Sequence, residues 1–535
     1  MEGWDFESTE RRPTLILRQR HVSMTVPTPS PSETHSRGVV EWLNRPLSAP
    51  GCFVGWCSAL VVFIGFTSLL GGPTEFDAAL SVYSTWAIAT GHLTCSYVHV
   101  TPFHVPPIGD PFTLIAPVYP LFSGLVLAVT HIANFARFPT SSQLGPHCST
   151  AIVSMFRWSA NSNAIQATVR LGYFSWIFVL SGAVGLLRAI GRGRTNWEPL
   201  TLILLAILTP VTQCITQFFH PQDIVAIGFA LGSVACMKRG RWEWTGALMA
   251  LAFATNQFVL LLAVPIIVLI PSAKRIRTVL AGVLTSAIIL LPIIVLTSGR
   301  ALRYALIGSS VTNSLPQANP WFSDVHGAIL IIVTRIPPIA ITALLAWWAQ
   351  RRLGARIMDP TPLLSLLATC VALRLMFEVT LFAYYFAAAI VFLLLLEVAG
   401  GRIRGAAITW YAVLVVAFNP LPLGFVNNPV EWALKGHEVM PTIFIVITAI
   451  LIAGDALRRR VRWYLVAAAV LVSLTLVKWP WNHGALRHFE PLWFWQIFLV
   501  PTLLWLTISP LISAINERRH ACIENAPEPT RSADS

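Results

Sequence analysis

Charged residues are scarce in this chain, and acidic ones are the scarcest. Only 11% of its 535 residues are charged, with 24 acidic residues against 37 lysines and arginines. Soluble globular proteins carry about 25% charged residues, so the composition argues against a soluble fold. The net charge of +13 comes from short basic clusters between apolar runs, and it does not indicate a nucleic-acid partner.

The sequence also lacks the motifs that mark nucleotide and metal sites. No glycine-rich phosphate loop precedes a predicted helix, which argues against a nucleotide-binding site. His99, His104 and Asp110 share one loop, but their spacing matches no established metal-ligand pattern. We therefore expect no cofactor, and a divalent metal in this loop is the weaker alternative.

Long apolar stretches are what the chain has in abundance. Hydrophobic residues make up 55% of it, and several uncharged runs approach the roughly 20 residues that cross a bilayer as a helix. They predict an all-α polytopic membrane protein of about 11–14 transmembrane helices, in contact with the lipid bilayer. The predicted spans are 51–72, 165–188, 198–218, 221–237, 243–255, 257–271, 277–297, 325–349, 361–377, 379–398, 405–418, 438–455, 462–478 and 491–513.

The basic clusters predict the orientation of these spans. Clusters that begin at Arg188, Lys238, Lys274, Arg351 and Arg458 follow the pattern of cytoplasmic loops. We expect a multi-pass protein of the plasma membrane with both termini in the cytoplasm. The predicted parts are a disordered N-terminal segment (1–45), a transmembrane module in which any catalytic site is expected (46–400), C-terminal transmembrane helices (401–515) and a cytoplasmic tail (516–535).

One apolar stretch, 112–133, does not fit this alternation as a span. Counting it as a crossing would place the basic cluster after residue 188 outside, against the orientation rule. We therefore predict an interfacial helix on the outer face. Residues 73–164 then form one long extracytoplasmic segment, and any chemistry is expected on that side.

Two carboxylates, Glu75 and Asp77, directly follow the first predicted span. Phe76, Leu80 and Tyr83 continue on one face of an amphipathic helical pattern. Two interpretations stay open here. The acids can favour a helix start, as in a capping box, or a carboxylate at this surface can act as a general base.

The eight cysteines fall into two groups. Cys95 and Cys148 lie in the outer segment, where disulfides are permitted, so a bridge between them and two free thiols are both open. The others are expected to be small apolar residues without a function. They are Cys52, Cys57, Cys214, Cys236, Cys370 and Cys522.

Four stretches together resemble a known superfamily. They are FDAALSVYSTWAIATG at 76–91, APVYPLFSGLVLAV at 116–129, a longer stretch that begins FHPQDIVAIGFALG at 219–269, and RLMFEVTLFAYYFAAAIVFL at 374–393. The chain resembles, over about residues 51–400, the GT-C superfamily of polyprenyl-phosphate-sugar-dependent glycosyltransferases. Within it, the stretches are similar to the family 87 mannosyltransferases and their uncharacterised actinobacterial relatives.

The resemblance implies a GT-C-like bundle and assigns roles to individual residues. It places the catalytic base at Asp77, with Glu75 as the second candidate. Relatives often carry lysine where this chain has Asn256, so the resemblance supports no cationic role there.

Further polar residues near predicted span ends are candidates for binding substrate. For each of them, a binding role and a plainer structural role stay open. Arg374 and Glu378 are four residues apart, and they either bind the lipid phosphate or only neutralise each other. His220 and Asp223 either contact sugar hydroxyls or, for Asp223, cap the following helix.

The remaining candidates leave similar alternatives. Asn256 and Gln257 interrupt an apolar run, so their amides need partners and the helix is expected to break. Arg300 and Arg303 contact either a substrate phosphate or lipid headgroups. Tyr384 and Tyr385 either line a sugar pocket or pack against neighbouring rings. The sequence offers no account of Arg335, which interrupts the predicted span 325–349.

The function implied by the resemblance is sugar transfer at the outer membrane face. A polyprenyl-phosphate donor would pass a sugar, with mannose expected, to a cell-envelope glycan or glycolipid acceptor. Two alternatives remain: a transporter or flippase of lipid-linked sugars, which would be expected to show internal repeats, and a non-catalytic scaffold for other envelope enzymes.

Overall fold

A computed structural model describes residues 38, 40–69, 172–216, 219–296, 298–299, 327–378, 383–401 and 500–524. Within these ranges the chain is helical apart from short turns, and the isolated bridge between Pro46 and Thr195 is the only β-type pairing. The expected all-α architecture is therefore confirmed for the part of the chain that is described. The chain divides into two units, 1–43 and 44–535, and in the first of them residues 40–43 are helical.

Twelve α-helices and three short 3₁₀ helices lie in the second unit, within the described ranges. They are α1 (Ala49–Leu69), α2 (Trp176–Ala189), α3 (Trp197–Ala206), α4 (Thr209–Thr216), α5 (Pro221–Lys238), α6 (Trp242–Thr255), a 3₁₀ helix (Gln257–Val259), α7 (Leu260–Leu269), α8 (Ser272–Leu296), α9 (Gly327–Leu353), a 3₁₀ helix (Gly354–Met358), α10 (Pro360–Phe377), a 3₁₀ helix (Ala383–Tyr385), α11 (Phe386–Ala399) and α12 (Val500–Glu524).

Several of these helices can cross a membrane by their length and composition. Five described stretches qualify, and a sixth is added if the bent pair α3 and α4 forms one span. The five stretches are Ala49–Ser68, Gly172–Ala189, Ser272–Leu296, Ile332–Met358 and Pro360–Phe377. The expected total of about 11–14 spans and the sidedness of the bundle stay predictions.

Large apolar side chains on α8 are exposed rather than buried. Ile276, Leu280, Leu284 and Ile288 are each more than half exposed. A soluble protein rarely presents so large an apolar surface, whereas a helix facing lipid requires one. This pattern supports a membrane location for the bundle.

Glycines allow two helix pairs to approach closely. A Cβ atom on Gly182 in α2 would lie 2.4 Å from the carbonyl oxygen of Gly228 in α5. A Cβ atom on Gly246 in α6 would lie 2.0 Å from the carbonyl oxygen of Thr278 in α8. Small residues at such contacts are typical of helix packing in membranes.

Contacts between basic side chains and backbone join several helices at one end of the bundle, which we call the basic end. Arg239 Nη2 donates to the carbonyl of Gly185 at 3.1 Å, and Lys238 Nζ donates to that of Met358 at 2.6 Å. Gly182 of α2 lies against Gly228 of α5, and Gly185, further along α2, accepts from Arg239 at the end of α5. The two helices therefore run parallel, in agreement with the predicted topology, in which both spans cross in the same direction.

Two predicted elements have different bounds in the structure. The span expected at 198–218 is not one helix, because α3 ends at Ala206 and α4 continues at an angle of 57°. Pro210 explains the bend, since it has no N–H to donate to the carbonyl of Ala206, where α3 ends. Helix α12 continues to Glu524, so part of the tail expected at 516–535 is helical.

A serine of α10 completes the backbone hydrogen bonds of α12. Pro510 interrupts the regular hydrogen bonding of α12. There the hydroxyl of Ser365 donates to the carbonyl of Thr507 and accepts from the N–H of Leu511 at 3.0 Å. Ser365 and Thr507 are both fully buried, so this contact fixes the two helices against each other.

Candidate functional site

Polar and aromatic side chains from several helix ends meet at the end of the bundle opposite the basic end. They come from the start of α5, the break between α6 and α7, the end of α10 and the turn before α11. We call them the site cluster. Its members are His220, Asp223, Asn256, Phe258, Arg374, Glu378, Tyr384 and Tyr385.

A hydrogen bond from Asn256 Nδ2 to Asp223 Oδ1 joins two of these helix ends. Asn256 has extended backbone angles, which confirms the predicted break after Thr255. Its Oδ1 accepts from the backbone N–H of Phe258 at 3.2 Å, so both halves of the amide are satisfied. Asp223 and Asn256 are only 4% and 5% exposed, so neither side chain can replace this hydrogen bond with one to bulk water.

The capping role considered for Asp223 is only partly consistent with this geometry. Asp223 lies in the first turn of α5, where a carboxylate is favourable to the helix dipole. The N-cap position, however, is His220, which makes no side-chain capping bond. The hydrogen bond of Asp223 runs across to Asn256, so this carboxylate also fixes α5 to the neighbouring break.

Arg374 and Glu378 form an ion pair at the end of α10. Arg374 Nε donates to Glu378 Oε1. The helix does not continue through Glu378, because α10 ends at Phe377, as the predicted span 361–377 does, and Glu378 is extended. The turn after the helix nevertheless brings the two side chains together, with 13% and 10% of their surface exposed.

Two aromatic rings flank the Arg374 guanidinium. Its Cζ lies 4.5 Å from the ring centroid of Tyr385 and 5.1 Å from that of Phe258. Cation–π contacts of this kind hold a guanidinium without occupying its N–H groups. Within the described residues, the terminal nitrogens Nη1 and Nη2 of Arg374 have no hydrogen-bond partner.

A second arginine–glutamate pair in the same chain is built differently. At the basic end, Arg188 Nε donates to Glu198 Oε2 at 3.2 Å, and Nη2 donates to Oε1 at 2.8 Å. Oε2 also accepts from the backbone N–H of Arg194 at 2.8 Å. This two-point geometry is the one that satisfies both groups best. The single-point contact of Arg374 instead leaves donors for another acceptor.

Glu378 also contacts Arg335, the residue for which the sequence offers no account. Arg335 Nη1 in α9 lies 3.9 Å from Glu378 Oε1. The carboxylate therefore stands between two guanidinium groups, one from α9 and one from α10. This pairing explains how α9 carries a charge within an apolar helix.

His220 and Tyr384 form the aromatic side of the cluster. Their rings stack with centroids 4.2 Å apart and an interplanar angle of 14°, and Tyr384 meets Tyr385 edge to face. His220 Nδ1 also lies 2.9 Å from Gln222 Nε2. The packing role considered for Tyr384 is present in the structure, and a sugar-binding role stays a prediction.

Electrostatic interactions make the cluster one network. The charge of Arg374 acts on Asp223, on Glu378 and on His220. The structure thus brings together His220, Asp223, Asn256, Arg374, Glu378 and Tyr384, all named from the sequence. Gln257 lies beside them, half-buried.

The chain has no match among protein-family models, curated proteins or solved structures. Its resemblance to the GT-C superfamily therefore stays a prediction, carried by the sequence stretches that resemble it.

Several predicted features lie outside the described residues. They are the candidate bases Glu75 and Asp77, the arginines Arg300 and Arg303, the cysteines Cys95 and Cys148, and the outer segment 73–164. Five of the six cysteines expected to be unpaired are free in the structure, namely Cys52, Cys57, Cys214, Cys236 and Cys370. No group of three or more His, Cys, Asp and Glu side chains that could hold a metal occurs in the described ranges.

Phe258 and Arg335 are the site residues that sequence reasoning missed. Phe258 directly follows the Asn256–Gln257 interruption, so its position beside the polar break was a usable signal. Arg335 was visible as a charge in an apolar run, but its partner Glu378 could not be read from the sequence, because the contact joins separate helices.

Proposed function

We propose that this chain is an integral membrane glycosyltransferase. It moves a sugar, with mannose expected, from a polyprenyl-phosphate donor to a cell-envelope glycan or glycolipid on the outer face. The observation that carries the proposal is the Arg374 guanidinium, held through Nε by Glu378 and by two aromatic rings, with Nη1 and Nη2 directed to no described acceptor.

The geometry of Arg374 suits the phosphate of the leaving lipid. Transfer of the sugar leaves a polyprenyl phosphate, whose charge increases as the glycosidic bond breaks. A guanidinium presents paired N–H groups that fit phosphate oxygens, and it is most effective where its position is fixed and water is limited. Glu378 and the rings of Phe258 and Tyr385 fix that position before the ligand arrives.

The acceptor hydroxyl requires a base, for which we propose Asp77, with Glu75 as the second candidate. A carboxylate within hydrogen-bond distance of the hydroxyl can take its proton in the transition state. His220, Asp223 and Tyr384 are proposed contacts for sugar hydroxyls. Arg300 and Arg303 are proposed as additional phosphate contacts.

The test is sugar transfer by the purified full-length chain in lipid nanodiscs. Radiolabelled polyprenyl-phosphate mannose serves as donor, and membranes from cells lacking the protein supply the acceptor. We expect Arg374→Lys to lower kcat/KM by roughly 10²–10³-fold and Asp77→Asn by roughly 10²–10⁴-fold. Arg188→Lys, in the pair at the basic end, is the matched control and should transfer normally.

Two results would count against the proposal, and one would only change the residue assigned as the base. Normal transfer by both Arg374→Lys and Asp77→Asn would remove the proposed phosphate site and base. Loss of transfer in Glu75→Gln but not in Asp77→Asn would move the base to Glu75. Movement of the labelled lipid across a sealed vesicle without any transfer would favour the transporter.

A further inference from the structure

The backbone around His220 is fixed in a strained conformation. Phe219, directly before it, has a φ of 46°, in the left-handed region that bulky residues rarely adopt. The N–H of His220 donates to the carbonyl of Cys214 in α4, and its own carbonyl accepts from the N–H of Asp223 at 3.0 Å. Strain of this kind persists only where the surrounding structure holds it, and it is common at functional sites.

A glycine accommodates the ring of Phe219. Phe219 is 1% exposed, and a Cβ atom on Gly172 would lie 2.6 Å from its Cε2. A larger residue at position 172 would therefore have to displace the ring. This packing holds Phe219 in place and, through it, the backbone of His220.

Two neighbours fix the side chain of His220. Its ring stacks on that of Tyr384, with centroids 4.2 Å apart. Gln222 Nε2 lies 2.9 Å from His220 Nδ1, and Gln222 is only 5% exposed. Because an amide nitrogen can only donate, Nδ1 is the acceptor. A neutral ring then carries its proton on Nε2.

The charge state of His220 is consistent with this assignment. His220 lies between the predicted spans 198–218 and 221–237. Burial and the positive charge of Arg374 lower the pKa of His220 to about 3, so the ring is neutral at physiological pH. Within the described residues, Nε2 has no hydrogen-bond partner. The ring thus presents one N–H donor in a fixed position.

We propose that Gln222 is a positioning residue that holds His220 as a neutral hydrogen-bond donor, and that Nε2–H of His220 binds an uncharged oxygen of the ligand in the site cluster. The inference rests on the proposed function and adds to it Gln222 and the direction of one hydrogen bond. Because the donor is neutral, it suits a hydroxyl or ether oxygen, whereas the cationic Arg374 suits a phosphate.

The first test is ¹⁵N solid-state NMR of the full-length chain in lipid bilayers at neutral pH, with label at histidine only. His220→Gln identifies the signals of His220 by their loss. We expect a protonated Nε2 and an unprotonated Nδ1. In Gln222→Glu, a carboxylate replaces the donating amide, and since it only accepts, Nδ1 should become the protonated atom. Gln222→Met, which has no donor at similar volume, should give a mixture of both neutral forms.

A matched control makes the same amide-to-acid change outside the site cluster. Gln350→Glu, at a half-buried position in α9, should leave the proton of His220 on Nε2. Thermal unfolding of each variant checks that the chain remains folded. A protonated Nδ1 in the unmodified chain, or an unchanged ring in Gln222→Glu, would overturn the inference.

The second test is the response to a ligand. Unlabelled polyprenyl-phosphate mannose should shift the Nε2 signal of the unmodified chain. In the transfer assay, Gln222→Glu should lower kcat/KM by roughly tenfold to a hundredfold, the range for one lost hydrogen bond. The loss should lie mainly in KM, because this bond is present in the ground state as well as in the transition state. Gln350→Glu should transfer normally.

Together the two tests separate the failure of this inference from that of the proposed function. If the proton moves in Gln222→Glu and Nε2 responds to the lipid-linked sugar, but the unmodified chain transfers no sugar, the proposed function fails and the inference stands. If the unmodified chain transfers sugar and Gln222→Glu transfers equally well, the inference fails and the proposed function stands. If the lipid-linked sugar neither shifts Nε2 nor is transferred, both are overturned.

Discussion

Asn256 Nδ2 donates a hydrogen bond to Asp223 Oδ1, and this contact joins the break after α6 to the first turn of α5. A polar interruption in an apolar run is costly when its groups are unpaired. Here the interruption and the carboxylate satisfy each other inside the bundle. The two residues therefore stabilise the break together.

Asn256→Ala should destabilise the protein by about 1–3 kcal/mol, since it leaves a buried carboxylate without its donor. Asn256→Lys should recover most of this loss, because an ammonium group can pair with Asp223. Thermal unfolding in detergent measures both effects. Gln257→Ala, at the half-buried neighbouring position, is the control and should change stability by less than about 0.5 kcal/mol. An equal loss of stability in Gln257→Ala would mean that any substitution at the break destabilises the protein, and that the Asn256–Asp223 hydrogen bond is not the specific cause.

Gly246→Ala should separate α6 from α8 and destabilise the protein by about 1–3 kcal/mol. The added Cβ would meet the backbone carbonyl of Thr278, which cannot move aside. Gly185→Ala is the matched control in α2, where the nearest atom is 3.7 Å away. There the substitution should be neutral or stabilising, because alanine favours helix. Unfolding of both variants in the same detergent tests the difference, and similar stabilities would contradict it.

Ser365→Ala should cost about 1–3 kcal/mol, because the N–H of Leu511 and the carbonyl of Thr507 lose their shared partner. Thr369→Ala lies one turn further along α10 and is also buried, but the hydroxyl of Thr369 donates only within its own helix, to Ser365. The smaller expected loss at Thr369 makes it the control. Hydrogen exchange at Leu511 provides a local measurement, and unchanged protection there in Ser365→Ala would refute the role of the serine.

A topology reporter fused at Phe138 should be read on the extracytoplasmic side. The reason is the predicted interfacial position of 112–133, a stretch outside the described residues. A second fusion at Lys238, at the basic end, should be read in the cytoplasm. A cytoplasmic signal at Phe138 would make 112–133 a crossing and change the orientation of every later span.

The helical class, the break at Asn256 and the grouping of the polar residues could be predicted because each has a local signal. Asn256 interrupts an apolar run, and His220, Asp223 and Arg374 lie at predicted helix ends on the same side. The bend at Pro210 had a signal too, but the apolar run across it was read as one span. Hydropathy alone measures burial and does not register a missing backbone donor.

Contacts between distant segments could not be predicted in the same way. Nothing near Arg335 indicates Glu378 as its partner, and nothing near Ser365 indicates Thr507 and Leu511 of α12 as its partners. Such contacts depend on which helices become neighbours and on their rotation about their axes. Both are determined by the packing of the whole bundle, so no local pattern in the sequence indicates them.

The Ser365–Thr507 contact has a consequence for biosynthesis. The two residues are 142 positions apart, and ribosomes add about 5–20 residues per second, so α10 enters the membrane on the order of ten seconds before α12 is synthesised. During that interval the hydroxyl of Ser365 lacks its two hydrogen-bond partners in α12. We expect a stop codon after α11 to prevent assembly of the Arg374 site, although the described part of the missing chain makes no contact with Arg374.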